Sequence, residues 1–160
     1  MKPNFKFFIY AFPAMDGCCG MKKRELNGYL EMILKGVAPS KKELDELFPA
    51  AQMRREEKYG KDYWKLKNTQ DYWWVEHNRI IDAGESGYED ADLEDRKNCK
   101  VKFWEIDKIN GEKIVELKNG HEIVRAYNYR NLELKSGGYV TTHKGHVIEE
   151  ISYEDFERYG

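Results

Sequence analysis

The stretch that decides the fold, residues 99–156, reads CKVKFWEIDKINGEKIVELKNGHEIVRAYNYRNLELKSGGYVTTHKGHVIEEISYEDF. Short runs rich in Val, Ile, Phe, Trp and Tyr are separated by the turn signals Asn110-Gly111, Asn119-Gly120 and Ser136-Gly137-Gly138. Asn-Gly supplies the positive φ angles that a tight two-residue hairpin needs. The pattern predicts an antiparallel meander, and five or six such strands are enough to close a small barrel of the OB or SH3-like kind.

The first half of the chain carries helical patterns. Residues 5–12 are apolar nearly throughout and predict either a buried strand or a packed helix, which we expect Pro13 to end. Apolar residues then recur at helical spacing over 21–35. Ser40, three residues before Glu43, forms a capping-box pattern that predicts the start of a second helix.

The domain organisation that follows is α+β. We expect a mainly helical region over 1–84, packed on a small antiparallel barrel over 98–160, with an acidic linker at 85–97. Residues 71–82 are ambiguous, and their spacing favours a helix over a strand. A second capping pattern at Ser152 predicts a short C-terminal helix.

Composition excludes several classes of protein. The 160 residues hold 27 basic and 29 acidic side chains, and this balance argues against a dedicated nucleic-acid footprint. No run of about 18 apolar residues is present, so we expect no membrane span. Three cysteines do not make a disulfide framework, and an apolar N-terminal run interrupted by Pro13 does not suit a signal peptide. We therefore expect a cytoplasmic protein.

Two thiols are candidates for chemistry. Cys18 and Cys19 lie between glycines in a turn that precedes a predicted helix. The free N–H groups and dipole of a helix start lower a thiol pKa, which favours a reactive or metal-binding thiolate. Small buried side chains would give the same sequence, and the residues leave both interpretations open.

Two histidines flank the last hairpin turn. His143 and His146 are spaced so that two imidazoles can share one ion, although two exposed turn histidines fit the pattern as well. The hypothesis for an iron or zinc site is therefore Cys19 with His143, with Cys18 as the alternative thiol and His146 as a second imidazole. No phosphate loop, nucleophile elbow or His-Glu-x-x-His motif supports an enzyme, so a non-enzymatic role is favoured.

Residues 137–151 read GGYVTTHKGHVIEEI and are followed by an acidic segment, YEDF. This resembles the C-terminal Gly-Asp-Tyr-Val-x-x-His-x-Gly-x-x-Ile-x-x-Leu pattern of the HypC/HupF-type hydrogenase assembly chaperones. Those chaperones begin Met-Cys-Leu-Ala-Ile-Pro, with a cysteine that handles iron, whereas this chain begins Met1-Lys2-Pro3. The resemblance implies a small barrel and a role in assembling a metalloenzyme.

The whole chain also resembles an uncharacterised family found near hydrogenase accessory genes. Its Tyr-Ala-Tyr-Pro and Gly-Tyr-Cys-Gly opening is similar to residues 10–13 and 17–20. Its Tyr-Trp-x-x-Asn-x-Leu-Leu-Asp and Cys-x-Ile-x-Trp segments are similar to residues 72–82 and 99–104. That family implies no known activity.

The functional expectation is an accessory or assembly protein that binds protein partners, with hydrogenase maturation as the context that the resemblance implies. One alternative is a nucleic-acid-binding module that stacks bases on Trp104, Tyr127 and Tyr129 of the barrel face. The other is a small thiol-dependent enzyme, for which the thiols are the only support.

Overall fold

The computed structural model describes residues 1–18 and 22–160, and the side chains of residues 1–15 and 22–160. The chain forms two compact units, Met1–Ala91 and Asp92–Gly160. The first is helical, and the second contains a closed five-stranded barrel within the described residues. The predicted α+β class, with N-terminal helices and a C-terminal small barrel, is confirmed.

The described part of the first unit contains six α-helices. They are α1 (Pro3–Cys18), α2 (Lys23–Leu34), α3 (Lys41–Leu47), α4 (Pro49–Tyr59), α5 (Leu66–Asp71) and α6 (His77–Ala83). The capping box forms as predicted, because Ser40 Oγ accepts from the Glu43 N–H at 3.3 Å and the Ser40 N–H donates to Glu43 Oε2 at 2.8 Å. A π-helical turn, Tyr72–Glu76, joins α5 to α6, so the ambiguous segment is helical.

Helix α1 is the buried centre of this unit. Phe7, Phe8, Ile9, Tyr10 and Met15 are each at most 1% exposed. The expected end at Pro13 was wrong, since Pro13 lies inside α1. A proline removes one helical hydrogen bond, but tertiary packing supplies most of the stability of a helix in a protein, and here apolar residues are buried on both sides of the proline.

An arginine is buried among the rings of the helical unit. Arg55 of α4 is 0% exposed, and its guanidinium carbon lies 4.0 Å from the ring centre of Trp64 and 4.4 Å from that of Phe7. One guanidinium nitrogen donates to the Tyr63 carbonyl at 3.0 Å. Burial lowers the Arg55 pKa to about 10, although Asp45 acts in the opposite direction.

The barrel strands are β1 (Lys102–Asn110), β2 (Ile114–Asn119), β3 (Glu122–Tyr127), β4 (Tyr139–His143) and β5 (His146–Ile151). Their order around the barrel is β1-β2-β3-β5-β4. All neighbours are antiparallel except β3 and β5, which meet in parallel. This is a closed five-stranded barrel with one parallel seam, and inward side chains such as Ile106, Leu117 and Val147 fill its interior.

The hairpins predicted at Asn110-Gly111 and Asn119-Gly120 form, but their turns differ in detail from the expected Asn-Gly type. The predicted continuous meander was wrong, because residues 136–138 connect β3 to β4, which are not neighbours in the barrel. Asn110 pairs with Ile114, so the first loop has three residues and begins with Gly111 at φ +80°. Asn119 pairs with Glu122, so the next turn is Gly120-His121, with the glycine at φ +58°. In both loops the glycine supplies the positive φ, while the asparagine ends the strand.

Two short helices flank the strands. Helix α7 (Leu93–Cys99) lies largely within the stretch 85–97 that was expected to be a linker. Helix α8 (Tyr153–Tyr159) begins at the predicted cap, where Ser152 Oγ accepts from the Asp155 N–H at 3.1 Å. No helix in the described part of the chain has the length and apolar character to cross a membrane.

Candidate functional site

A groove opens in the barrel beside the seam between β3 and the β4–β5 turn. One wall is the β3 segment 124–126, and the other is formed by the ends of β1 and β4. Its volume is about 240 Å³. Four basic residues line it, and we call this site the basic groove: Lys100, Lys102, Arg125 and Lys144.

The charged residues in the described lining of the basic groove are all cationic. Among its described lining residues there is no Asp or Glu. Arg125 is paired at 3.5 Å with Glu116, but its side chain is 75% exposed. Within residues 22–160, neither Lys102 nor Lys144 has an ion-pair partner within 4.0 Å. Such a groove attracts anions, because cations gathered along one groove raise the local potential.

Strand register explains why Lys102 lies in the groove. Lys102 is the direct partner of Thr142, whose side chain accepts a buried hydrogen bond from the Trp104 indole. Directly opposite residues share one face of a sheet, so Lys102 points towards the end of the barrel interior. Burial lowers the Lys102 pKa the most; Lys97 and Lys100 lower it further, while Glu122 acts in the opposite direction.

The turn that carries Lys144 is strained. Lys144 has φ +48° and Gly145 has φ +74°, so both central residues of the β4–β5 turn are left-handed. Asn, Asp or Gly normally occupies the first of these positions, because a longer L-residue there costs energy. Strained residues cluster at binding sites, and this one places a lysine at the mouth of the basic groove.

The two predicted histidine ligands are brought together. His143 and His146 are direct partners across the β4–β5 hairpin and therefore lie on one face. His143 is 2% exposed, so the alternative of two solvent-exposed turn histidines does not apply to it. His146 Nδ1 lies 2.7 Å from the Lys144 carbonyl oxygen, and this acceptor fixes the ring proton on Nδ1.

The thiols cannot be placed beside these histidines. Cys19 lies outside the described residues, and Cys18 ends α1 with a side chain that is not described. Among the described side chains, no group of three or more His, Cys, Asp or Glu residues is arranged to hold a metal ion. The iron or zinc site built on Cys19, Cys18, His143 and His146 therefore stays a prediction.

Two of the three rings expected to stack bases are not accessible. Trp104 is 2% exposed and Tyr129 is 4% exposed, whereas Tyr127 is 39% exposed. A stacking platform must present its face to a base. The buried indole of Trp104 instead braces the barrel, donating from Nε1 to Thr142 Oγ1 at 2.8 Å.

Sequence reasoning missed the basic groove because its cations come from distant positions. Lys100 and Lys102 precede or open β1, Arg125 is on β3, and Lys144 is in the last turn. The net charge of −2 for the whole chain gives no sign of a local cluster of cations. One signal was present: the Lys-x-Lys alternation at the start of β1 places two cations on the same side of an extended chain.

Comparison with known proteins identifies no relative of this chain. No protein-family model matches the chain, and neither the curated proteins nor the solved structures give a significant match.

Proposed function

We propose that this protein is a non-enzymatic accessory protein that acts by binding a protein partner, and that the basic groove is its binding site. The observation that supports this proposal is the convergence of four cations on a groove whose described lining contains no carboxylate. The partner presents acidic groups to the groove, because charge complementarity steers encounter and selects against basic surfaces.

The size and lining of the groove favour a segment of a protein over a small organic molecule. Its volume of about 240 Å³ lies below the ~300–1,000 Å³ of a typical small-molecule pocket. Trp104 is the aromatic residue in the described lining, and at 2% exposed it offers no ring face to a planar ligand. The groove can therefore recognise a ligand mainly through its charged side chains and its backbone.

The resemblance to hydrogenase assembly chaperones suggests the class of partner. The residues that carry it, 137–151, form the β4–β5 hairpin with Lys144 at its turn. We propose that the partner is a metalloenzyme subunit or another protein of its assembly pathway, with hydrogenase as the first candidate.

Site-specific photo-crosslinking tests this proposal in cells that carry the partner. A photoreactive amino acid replaces Lys135, which is exposed and outside the groove, or Ile123, which is exposed on β3 beside the groove. We expect a protein adduct from position 123 and none from position 135. The adduct should be lost when Lys102→Gln and Lys144→Gln are added. An adduct from both positions, or one that survives both substitutions, would contradict the assignment of the groove.

Single-stranded nucleic acid is the second candidate, supported by the same four cations. Neutralising phosphates makes affinity fall steeply with salt, with a slope near −0.7 per phosphate contact for single strands. Micromolar binding of an oligothymidylate that shows such a slope and is lost in the Lys102→Gln/Lys144→Gln variant would favour this candidate over a protein partner.

A further inference from the structure

We propose that the occupant of the basic groove is an extended acidic segment of the partner protein, which adds to the barrel as a strand along the open edge of β3. This inference rests on the proposed function and specifies its mode of recognition. It depends on the pairing of β3, on the direction of its peptide groups and on the charges beside them.

Strand β3 is fully paired along one side and mostly unpaired along the other. On one side, every residue from Glu122 to Tyr127 has a partner in β2. On the other side, within the described residues, the parallel contact with β5 consists of a single pair, Tyr127 with His146. The part of β3 that precedes Tyr127 therefore presents an unpaired edge, and this is the part that lines the basic groove.

Alternate peptide groups of β3 point away from β2, towards its unpaired side. The Tyr127 N–H donates to the Gly145 carbonyl at 2.9 Å, which places it on the side of β3 that faces away from β2. In an antiparallel pair, successive residues alternate between pointing towards the partner strand and pointing away from it. The peptide groups of Arg125 and Ile123 therefore point the same way as that of Tyr127, into the space where β3 has no neighbouring strand.

Positive charges lie on and beside the unpaired edge of β3. An exposed strand edge is a template for any extended chain, and proteins often protect such edges with lysines and other charges. Here Arg125 lies on the edge itself, while Lys102 and Lys144 line the groove beside it. These cations repel the same edge of a second copy, because Arg125 would face Arg125. Lys102, on the interior face of the sheet, and Lys144, in the turn, attract a strand whose acidic side chains recur at every second residue on the face towards the groove.

The experiment uses the full chain and a fluorescein-labelled peptide of alternating glutamate and valine, with fluorescence anisotropy as the readout. The charge control is the matching lysine–valine peptide. Two further peptides are N-methylated, one at the glutamate amides and the other at the valine amides. In an extended chain these two sets of N–H groups point to opposite sides, so only one set can face β3.

We expect the acidic peptide to bind at least tenfold more tightly than the basic one. One methylated peptide should lose at least tenfold in affinity, and the other should stay within about twofold of the parent. Lys102→Gln/Lys144→Gln should weaken binding tenfold or more. The matched pair Lys108→Gln/Lys135→Gln removes the same charge from exposed positions outside the groove and should leave affinity unchanged.

The outcomes separate this inference from the proposed function. If both methylated peptides bind like the parent, the groove reads charge alone, and strand addition is overturned while the proposed function stands. If no acidic peptide binds and the photo-crosslinks do not depend on Lys102 and Lys144, both are overturned. Tighter binding of oligothymidylate than of any peptide, or self-association that depends on the β3 edge, would replace the proposed occupant.

Discussion

The indole Nε1 of Trp104 donates a 2.8 Å hydrogen bond to Thr142 Oγ1 in the wall of the basic groove. Both residues are buried, at 2% and 5% exposed, so the bond joins β1 to β4 with little access to water. It holds the groove in shape because Lys102 is the direct strand partner of Thr142. A buried donor that loses its acceptor costs about 1–3 kcal/mol.

We therefore predict that Thr142→Val destabilises the barrel by about 1–3 kcal/mol, since valine keeps the shape of threonine but removes the acceptor. Urea unfolding followed through the NMR signal of the Trp104 indole measures this loss. Thr142→Ser, which keeps the hydroxyl, should lose less than Thr142→Val. Equal stability of the valine variant and the native protein would show that the bond does not brace the groove.

Lys144 should show opposite effects on stability and on binding. Lys144→Asn relieves the left-handed strain at φ +48°, and we predict a gain of roughly 0.5–1 kcal/mol in the free energy of unfolding. It should also weaken binding of the acidic peptide. Lys144→Gln removes the charge without favouring the turn, so it should weaken binding with no gain in stability. A loss of stability in Lys144→Asn would mean that the lysine is there for structure.

The lowered pKa of Lys102 gives a test by pH. Only its protonated form attracts an anion, so its contribution to affinity is present below its pKa and is lost as the pH rises through it. Burial and the neighbouring Lys97 and Lys100 place that loss below the ordinary lysine value of about 10.4. Peptide titrations at increasing alkaline pH should show the decline.

The matched variant is Lys102→Arg, which stays charged throughout this range and should hold its affinity where the native protein has lost it. Glu122 acts against the lowering of the Lys102 pKa and leaves its direction unchanged. A parallel decline in both proteins would assign the titration to another group.

Arg55 should stabilise the helical unit through its planar guanidinium. Cation–π contacts with desolvated rings contribute about 2 kcal/mol, and an ammonium group cannot lie flat on Trp64 as a guanidinium does. We predict that Arg55→Lys lowers the free energy of unfolding of this unit by about 2 kcal/mol, measured by urea denaturation and circular dichroism. Arg24→Lys, at an exposed position of α2 in the same unit, should change it by less than about 0.5 kcal/mol.

Local signals in the sequence predicted the barrel well. Positive-φ glycines such as Gly111 and Gly120 mark the hairpins, and strand alternation follows from the period of the apolar residues. The same local reasoning failed at Pro13, because burial on both sides of a helix outweighs the loss of one hydrogen bond.

The candidate site was harder to predict, because it depends on register between distant strands. Nothing local brings Arg125 beside Lys102; that contact follows from the order of strands around the barrel. The burial of His143 likewise depends on which face of β4 is covered, and the two-residue turn alone does not determine it. The residue type alone could not predict whether Trp104 is exposed, since tryptophan occurs in protein cores as well as on binding surfaces.

The most direct test of strand addition is an NMR measurement of backbone amides in the full chain, with and without the acidic glutamate–valine peptide. The Ile123 and Arg125 amides, which face the open edge, should exchange rapidly in the free protein. They should become protected and shift when the peptide binds, while the Val124 and Ala126 amides, already paired with β2, should change little. Shifts confined to lysine side chains, or protection elsewhere with Ile123 and Arg125 unchanged, would contradict the addition of a strand to β3.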